Sequence, residues 1–367
     1  MRNKGWLVAL LLAAVAFIPL VTKNHIYTGI VTRSDYGSFI PKINAYVSGQ
    51  PVDARYPAEV IIGRSIAFAS EVTKLDVATL YSTFVFLSLI ITGFVVYLFG
   101  SLFGKRTAWI MVFIALLSTT SVLSLFSYGV IANIINMYVL LLLSAYFLVR
   151  WLDGGKLYLI LLSGTAFSMF SLFHFSSLYF PYMGATMLVA LLIAMGLFKA
   201  KVFKLVIVLV VAIAINVVIS QITLSPTYSR LASASVAALV GGNPLVQLNF
   251  SPLSAGDYLV YFLGWSTLGI SVITAGFTPP AFWRSLAYKE KVALFLLGGM
   301  AIPLYVGTFT RLSPDSVRSA LDASTLTAMA IALMFGKSIE QNNWLLKAGG
   351  YILIGFGSLS ALMGWVV

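Results

Sequence analysis

The stretch Val77-Ala-Thr-Leu-Tyr81-Ser-Thr-Phe-Val-Phe-Leu-Ser-Leu-Ile-Ile-Thr-Gly93-Phe-Val-Val-Tyr97-Leu-Phe99 carries no charged residue and no proline. About 20 apolar residues in a helix cross a hydrocarbon core roughly 30 Å thick, so this run is long enough. In lipid the backbone must satisfy its own hydrogen bonds, which leaves helices or closed barrels. The run is continuously apolar rather than alternating, so it reads as a helix.

Runs of the same kind recur along the chain. Spans are expected near 5–21, 77–99, 107–126, 130–149, 157–173, 177–198, 205–223, 258–277, 292–309, 320–335 and 349–367. The composition agrees: of 367 residues 60% are hydrophobic and 9% charged, against about 25% charged in soluble domains. The expected fold is therefore all-α, a polytopic transmembrane bundle of about eleven helices. Residues 1–367 form one integral membrane domain without a soluble part. An Ala-x-Ala pattern at Ala14–Ala16 resembles a signal-peptide cleavage site, but apolar sequence continues to Val21, so an uncleaved first helix is expected.

Charge gives the orientation. With the N-terminus in the cytoplasm and sides alternating, the inside set is Arg2, Lys4, Lys105, Arg106, Arg150, Lys156, Lys199, Lys201, Lys204, Arg284, Lys289, Lys291, Lys337 and Lys347. Three acids, Asp153, Glu290 and Glu340, share that side. Those 14 basic residues less three acids give +11 inside. The remaining nine basic residues and eight acids give +1 outside, completing the net charge of +12. This asymmetry is that of a positive-inside protein, with the C-terminus outside. It also accounts for the basic composition without nucleic acid, since no clustered basic arm is present. The chain has no Cys and two His, His25 and His174. That excludes disulfides, thiolate metal sites and a cysteine nucleophile, and no metal site is assigned.

The polar complexity is external, in segments near 22–76, 224–257 and 310–319. In the first, Val60–Ala69 is apolar but interrupted by Arg64 and flanked by acids. That suits a helix lying in the membrane interface. Just before it stands Arg33-Ser-Asp35-Tyr36-Gly-Ser-Phe-Ile-Pro-Lys-Ile-Asn-Ala-Tyr-Val-Ser-Gly49-Gln-Pro51, followed by Arg55-Tyr56-Pro57. An acid shortly after the first span leads into an amphipathic stretch, a Gly-x-Pro turn and an aromatic-Pro pair. Farther on comes Phe147-Leu-Val-Arg150-Trp151-Leu-Asp-Gly-Gly-Lys156-Leu-Tyr158, leading to Ser163-Gly164 and His174.

This pattern, over about residues 1–200, resembles the C-type (GT-C) membrane glycosyltransferases, which include protein mannosyltransferases and lipid A aminoarabinose transferases. The resemblance implies a prokaryotic cell-membrane enzyme using a polyprenyl-phosphate-linked sugar. Its partners would be membrane lipids, the lipid-linked donor and an acceptor glycan, lipid or protein; no cofactor beyond the donor is implied, and a divalent metal requirement stays open. The first-loop acid, here Asp35, would be the general base, with Tyr36 beside it at the substrate. Arginines suit the leaving lipid phosphate because the guanidinium fork holds its oxygens bidentately. Arg55, Arg64, Arg311 and Arg318 are the candidates, and His174 could hydrogen-bond a sugar or phosphate. Many relatives carry adjacent acids, Asp-Glu, where this chain has Asp35-Tyr36, so a second acid is missing.

Simpler readings stand beside each of these. Asp35 is equally a helix cap or solvated loop residue; Asp53 and Asp76 are external back-ups for the base, each equally a surface turn residue or helix cap. The arginines are candidates for snorkelling to lipid headgroups, and His174 for satisfying a backbone carbonyl. Ser319-x-x-Asp322 reads as a capping box and Ser313-Pro314-Asp315 as a cap with Pro in the first turn. Asn133, Asn136, Asn216 and Gln221 form either a polar pathway or interhelical hydrogen bonds. Other classes remain open: a transporter or flippase, a non-catalytic relative of the transferases, or an O-antigen ligase or polymerase. Transport is disfavoured because nearly every charge lies at an expected helix end and no repeat is visible.

Overall fold

The computed structural model describes residues 35–54, 57–117, 131–154, 156–173, 278–310 and 316–341, with short pieces at 344, 347–348 and 351–352. Among these residues every regular element is a helix and none is a strand. The expected spans 5–21, 177–198, 205–223 and 258–277, nearly all of 349–367, and the loop 224–257 lie outside the described residues.

The first external segment folds into two helices, α1 (Asp35–Val47) and α2 (Pro57–Thr73). α1 buries Phe39 and Ile43, one turn apart on a single face. It stops at the Gly-x-Pro turn. Gly49 adopts φ +67°, the Gly49 amide donates to the Tyr46 carbonyl at 3.1 Å, and the Gln50 amide donates to Ala45 at 2.8 Å. That is a Schellman C-cap, which needs a left-handed residue and so favours glycine. α2 packs on α1 and buries Ala58, Ile62, Ile66 and Ala67. At the crossing a Cβ on Gly63 would come within 2.8 Å of the Tyr46 ring, so the helices touch there because that side chain is missing.

Three residues separate α2 from α3 (Val77–Gly100), which continues as a single 3-10 turn, Ser101–Phe103. Asp76 sets the start. Its carboxylate accepts from the Thr79 amide at 2.9 Å and the Thr79 hydroxyl at 2.6 Å, satisfying a donor that the first turn leaves orphaned. Gly104, at φ +120°, turns the chain into α4 (Lys105–Leu117), which returns along α3. Gly100 faces the Ala108 backbone so closely that a Cβ would lie 2.7 Å from its Cα. The Tyr97 and Trp109 rings meet at 4.9 Å beside it.

α5 is built from an α-helical turn (Ile131–Ile134), a π-helical stretch (Ile135–Leu141) and a further α-helix (Leu142–Leu152). A turn through Gly154, at φ +97°, leads to α6 (Leu157–Phe173), the span expected at 157–173. α5 and α6 are clasped by a reciprocal serine pair: Ser163 Oγ donates to the Ser144 carbonyl at 2.9 Å, and Ser144 Oγ to the Ser163 carbonyl at 3.0 Å. Small hydroxyl residues of this kind bring two helices close and join them. After the short α7 (Pro280–Ser285), α8 (Tyr288–Thr310) and α9 (Ser316–Gln341) form the most extensive pair among the described elements, and α9 packs on α4.

The span expected at 320–335 is thus the middle of a longer helix. Among the described residues two stretches are long and apolar enough to cross a membrane, Val77–Phe103 and Ile135–Leu152, and Leu157–Phe170 and Thr325–Ser338 are shorter apolar helices. The exposed faces are apolar too: Leu87, Ile91 and Phe94 on α3, and Leu157, Leu161, Leu162 and Met169 on α6.

Among the described residues, helix ends assigned to the cytoplasmic side pair with one another. Lys337 near the end of α9 pairs with Glu290 at the start of α8 (3.1 Å), and Lys289 faces Asp153 after α5 (3.8 Å). Glu290 also accepts from the Ala287 amide at 2.8 Å, the acidic half of a capping box. Thr107, at the start of α4, presses on Gly336 of α9.

Candidate functional site

Of the residues singled out for chemistry, few have described side chains. Asp35 and Tyr36 open α1, and their side chains lie outside the described residues. Arg55, His174 and Arg311 fall outside them altogether, while Arg318 sits in the first turn of α9 with its side chain likewise undescribed. Asn133 is undescribed beyond its backbone, and Asn216 and Gln221 are wholly outside.

Arg64 is the one proposed phosphate ligand whose side chain is placed. It projects from the exposed face of α2 and its guanidinium lies 5.7 Å from the centroid of the Tyr46 ring on α1, a cation–π distance. Burial raises the Tyr46 hydroxyl above the ordinary tyrosine range; Arg64 opposes that shift by charge and hydrogen bond, and the Glu59 carboxylate adds to it. Glu59 is buried and receives Lys42 Nζ at 2.6 Å. The α1–α2 pair therefore has an internal polar clasp, with Lys42 and Tyr46 from α1 meeting Glu59 and Arg64 from α2. Arg64 is committed to that clasp on one side and open to solvent on the other. Of the two reserve acids, Asp76 is the cap of α3 and Asp53 is exposed in the link between α1 and α2.

A second polar centre lies in the interior. The Tyr138 hydroxyl donates to the Asp322 carboxylate at 2.7 Å across the interface of α5 and α9. Both residues are fully buried, and so are Thr325 one turn along α9 and Asn136 in α5. Tyr138 and Asn136 both belong to the π-helical stretch, a geometry that often marks functional positions within helices. The capping reading of Asp322 is corrected here. α9 begins at Ser316, so Asp322 lies in its second turn, beyond the orphaned amides a cap would serve. A helix start farther along is what the Ser319-x-x-Asp322 pattern implied. The actual start leaves Asp322 as an interior acid, and the signal that could have found it was an acid followed by the uncharged run to Phe335.

Among the described residues no group of three or more His, Asp or Glu is placed to hold a metal ion. No protein-family model matches this chain, and no curated protein matches it.

Proposed function

We propose that this chain is a multi-spanning membrane protein that transfers a sugar from a polyprenyl-phosphate donor to an acceptor hydroxyl at the extracytoplasmic face. Membrane residence is supported by the helices Val77–Phe103 and Ile135–Leu152 and by the apolar exposed stripes on α3 and α6. Water would penalise such surfaces by roughly 25 cal/mol per Å², whereas lipid tails do not. The transferase reading rests on the resemblance of the first-loop sequence. Its supporting observation is that Asp35 opens a helix clasped to α2, which enters α3 after three residues.

In this reading the acceptor oxygen attacks the anomeric carbon and the Asp35 carboxylate takes the hydroxyl proton. The bond from the anomeric carbon to the phosphate oxygen breaks, and its electron pair leaves with the lipid phosphate. Arg55, Arg64, Arg311 and Arg318 are the cations available to that phosphate, with Tyr36 and His174 as hydrogen-bonding groups for the sugar. Purified protein in liposomes, supplied with radiolabelled polyprenyl-phosphate sugars and a membrane extract, should transfer label to the acceptor. Asp35→Asn should abolish transfer while preserving the folded protein. Transfer that survives Asp35→Asn removes Asp35 as the base, and no transfer from any donor removes the enzyme.

The buried Tyr138–Asp322 pair favours one second reading, transport. Ionisable groups inside membrane helices commonly mark ion or proton pathways, and Asp322 lies within a helix rather than at its end. In that case Asp322→Asn would eliminate proton-coupled uptake into vesicles, and Asp35→Asn would not.

A further inference from the structure

The outward face of α2 is exposed. Ile61, Phe68 and Val72, with Leu75 just beyond the helix, are exposed at 46%, 66%, 64% and 49%. Their spacing places them along one side, with Ser65 completing the row, while Ala58, Ile62 and Ile66 face α1 and the core. Large exposed apolar rows of this kind mark an interaction surface.

The identity of the partner follows from where α2 is held. From Thr73 to Val77 the chain can reach at most about 14 Å, so the end of α2 stays beside the mouth of α3. α3 carries its own exposed apolar row, Leu87, Ile91 and Phe94. An amphipathic helix lying on a bilayer buries its apolar side by about 5–10 Å, a depth within reach of that tether. Arg64, Glu71 and Lys74 are exposed along the same helix and the turn after it, and long basic side chains in that position reach lipid headgroups. The charges are of both signs, so apolar insertion carries the contact.

We propose that α2 lies in the plane of the membrane, with Phe68 and Val72 inserted among the outer-leaflet acyl chains and α1 held above it. The bilayer is the partner, and α2 is a shelf that fixes α1, and with it Asp35, at the level of the lipid headgroups. This inference rests on the membrane-spanning part of the function proposed above and is independent of sugar transfer.

The natural absence of Cys permits single labels. Phe68→Cys, Val72→Cys, Leu87→Cys and Ser48→Cys, each carrying an environment-sensitive NBD group, would be reconstituted in phosphatidylcholine vesicles with or without lipids brominated near the top of the acyl chain. Labels at 68 and 72 should be quenched by the bromolipid and be several-fold less accessible to aqueous iodide than the label at 48. Iodide accessibility at 68 and 72 equal to that at 48, with 87 still quenched by bromolipid, overturns the proposal alone. Labels at 68 and 72 shielded from both quenchers would mean that protein, such as a second copy, covers the row, and would also overturn it. Failure of bromolipid to quench at 87 removes the membrane reading and this inference together.

Discussion

Tyr138 and Asp322 show how much one hydroxyl can matter inside a helix bundle. A hydrogen bond to a charged or strongly polar buried partner contributes about 1.5–3 kcal/mol, and the loss is greatest when one partner is stranded. Tyr138→Phe keeps the ring and removes only the donor to Asp322. It should lower the thermal midpoint in detergent, followed by tryptophan fluorescence, and Asp322→Ala should lower it further by also stranding the tyrosine. An unchanged midpoint for Tyr138→Phe would show that the pair adds nothing to folding. Asp76 makes a different prediction because it is exposed and its bonds are local. Hydrogen bonds from the Thr79 hydroxyl and amide lower its carboxyl below the ordinary value of 3.8. A depressed folded value stabilises above the unfolded value and is lost as pH falls through the folded one. Asp76→Ala should therefore lower the midpoint at pH 7, and the gap from wild type should narrow as pH drops below 3.8. A gap that stays constant to lower pH would show that the cap does not act through the ionised carboxylate.

Among elements, the close approaches of α3 to α4 and of α9 to α4 depend on glycine. Gly100 meets the Ala108 backbone, which cannot withdraw, and Gly336 meets the Thr107 side chain, which can be shortened. Overpacking of this kind costs about 1–3 kcal/mol. Gly336→Ala should destabilise the protein, and Thr107→Ala in the same chain should recover most of the loss. Gly100→Ala should destabilise without any rescue from a shortened Met111, because the Ala108 backbone remains in the way. Midpoints of the wild type, the Gly336→Ala and Thr107→Ala variants and their double variant give the coupling directly. Additive losses for Gly336 and Thr107 would mean that the two positions do not touch. The Asp35 prediction also belongs to an element, since Asp35 acts only if α1 is fixed; loss of transfer in Asp35→Asn with an unchanged midpoint separates chemistry from folding.

For the whole molecule, orientation is the property with the widest consequence. The Lys289–Asp153 and Lys337–Glu290 contacts join the ends after α5, at the start of α8 and late in α9 that are assigned to the cytoplasm. Ser48, between α1 and α2, and Lys156, before α6, are both exposed. A membrane-impermeant maleimide should label Ser48→Cys in intact cells, and Lys156→Cys only after permeabilisation. Labelling of Lys156→Cys in intact cells would reverse the orientation, and labelling of both would dismantle the alternation of sides.

Much of this was legible in the residues themselves. The starts of α3 at Val77 and of α6 at Leu157 follow from apolar runs set off by Asp76 and by Asp153-Gly154. The stop of α1 follows from Gly49 and Pro51. These are local signals, fixed by backbone hydrogen bonds and dihedral angles within a few residues. The all-helical character of the described residues follows equally from composition, because continuous apolar runs leave no alternating faces for strands. Tertiary structure alone decided that Asp322 lies inside α9, which spans Ser316–Gln341, rather than at a start led by Ser319. It also decided that Tyr138 reaches Asp322 and that Arg64 lies over Tyr46. Those pairings join residues far apart in the chain or across two helices, and their geometry depends on crossings set by Gly63, Gly100 and Gly336. A sequence states which groups need partners, and only the packed helices determine which partner each one meets.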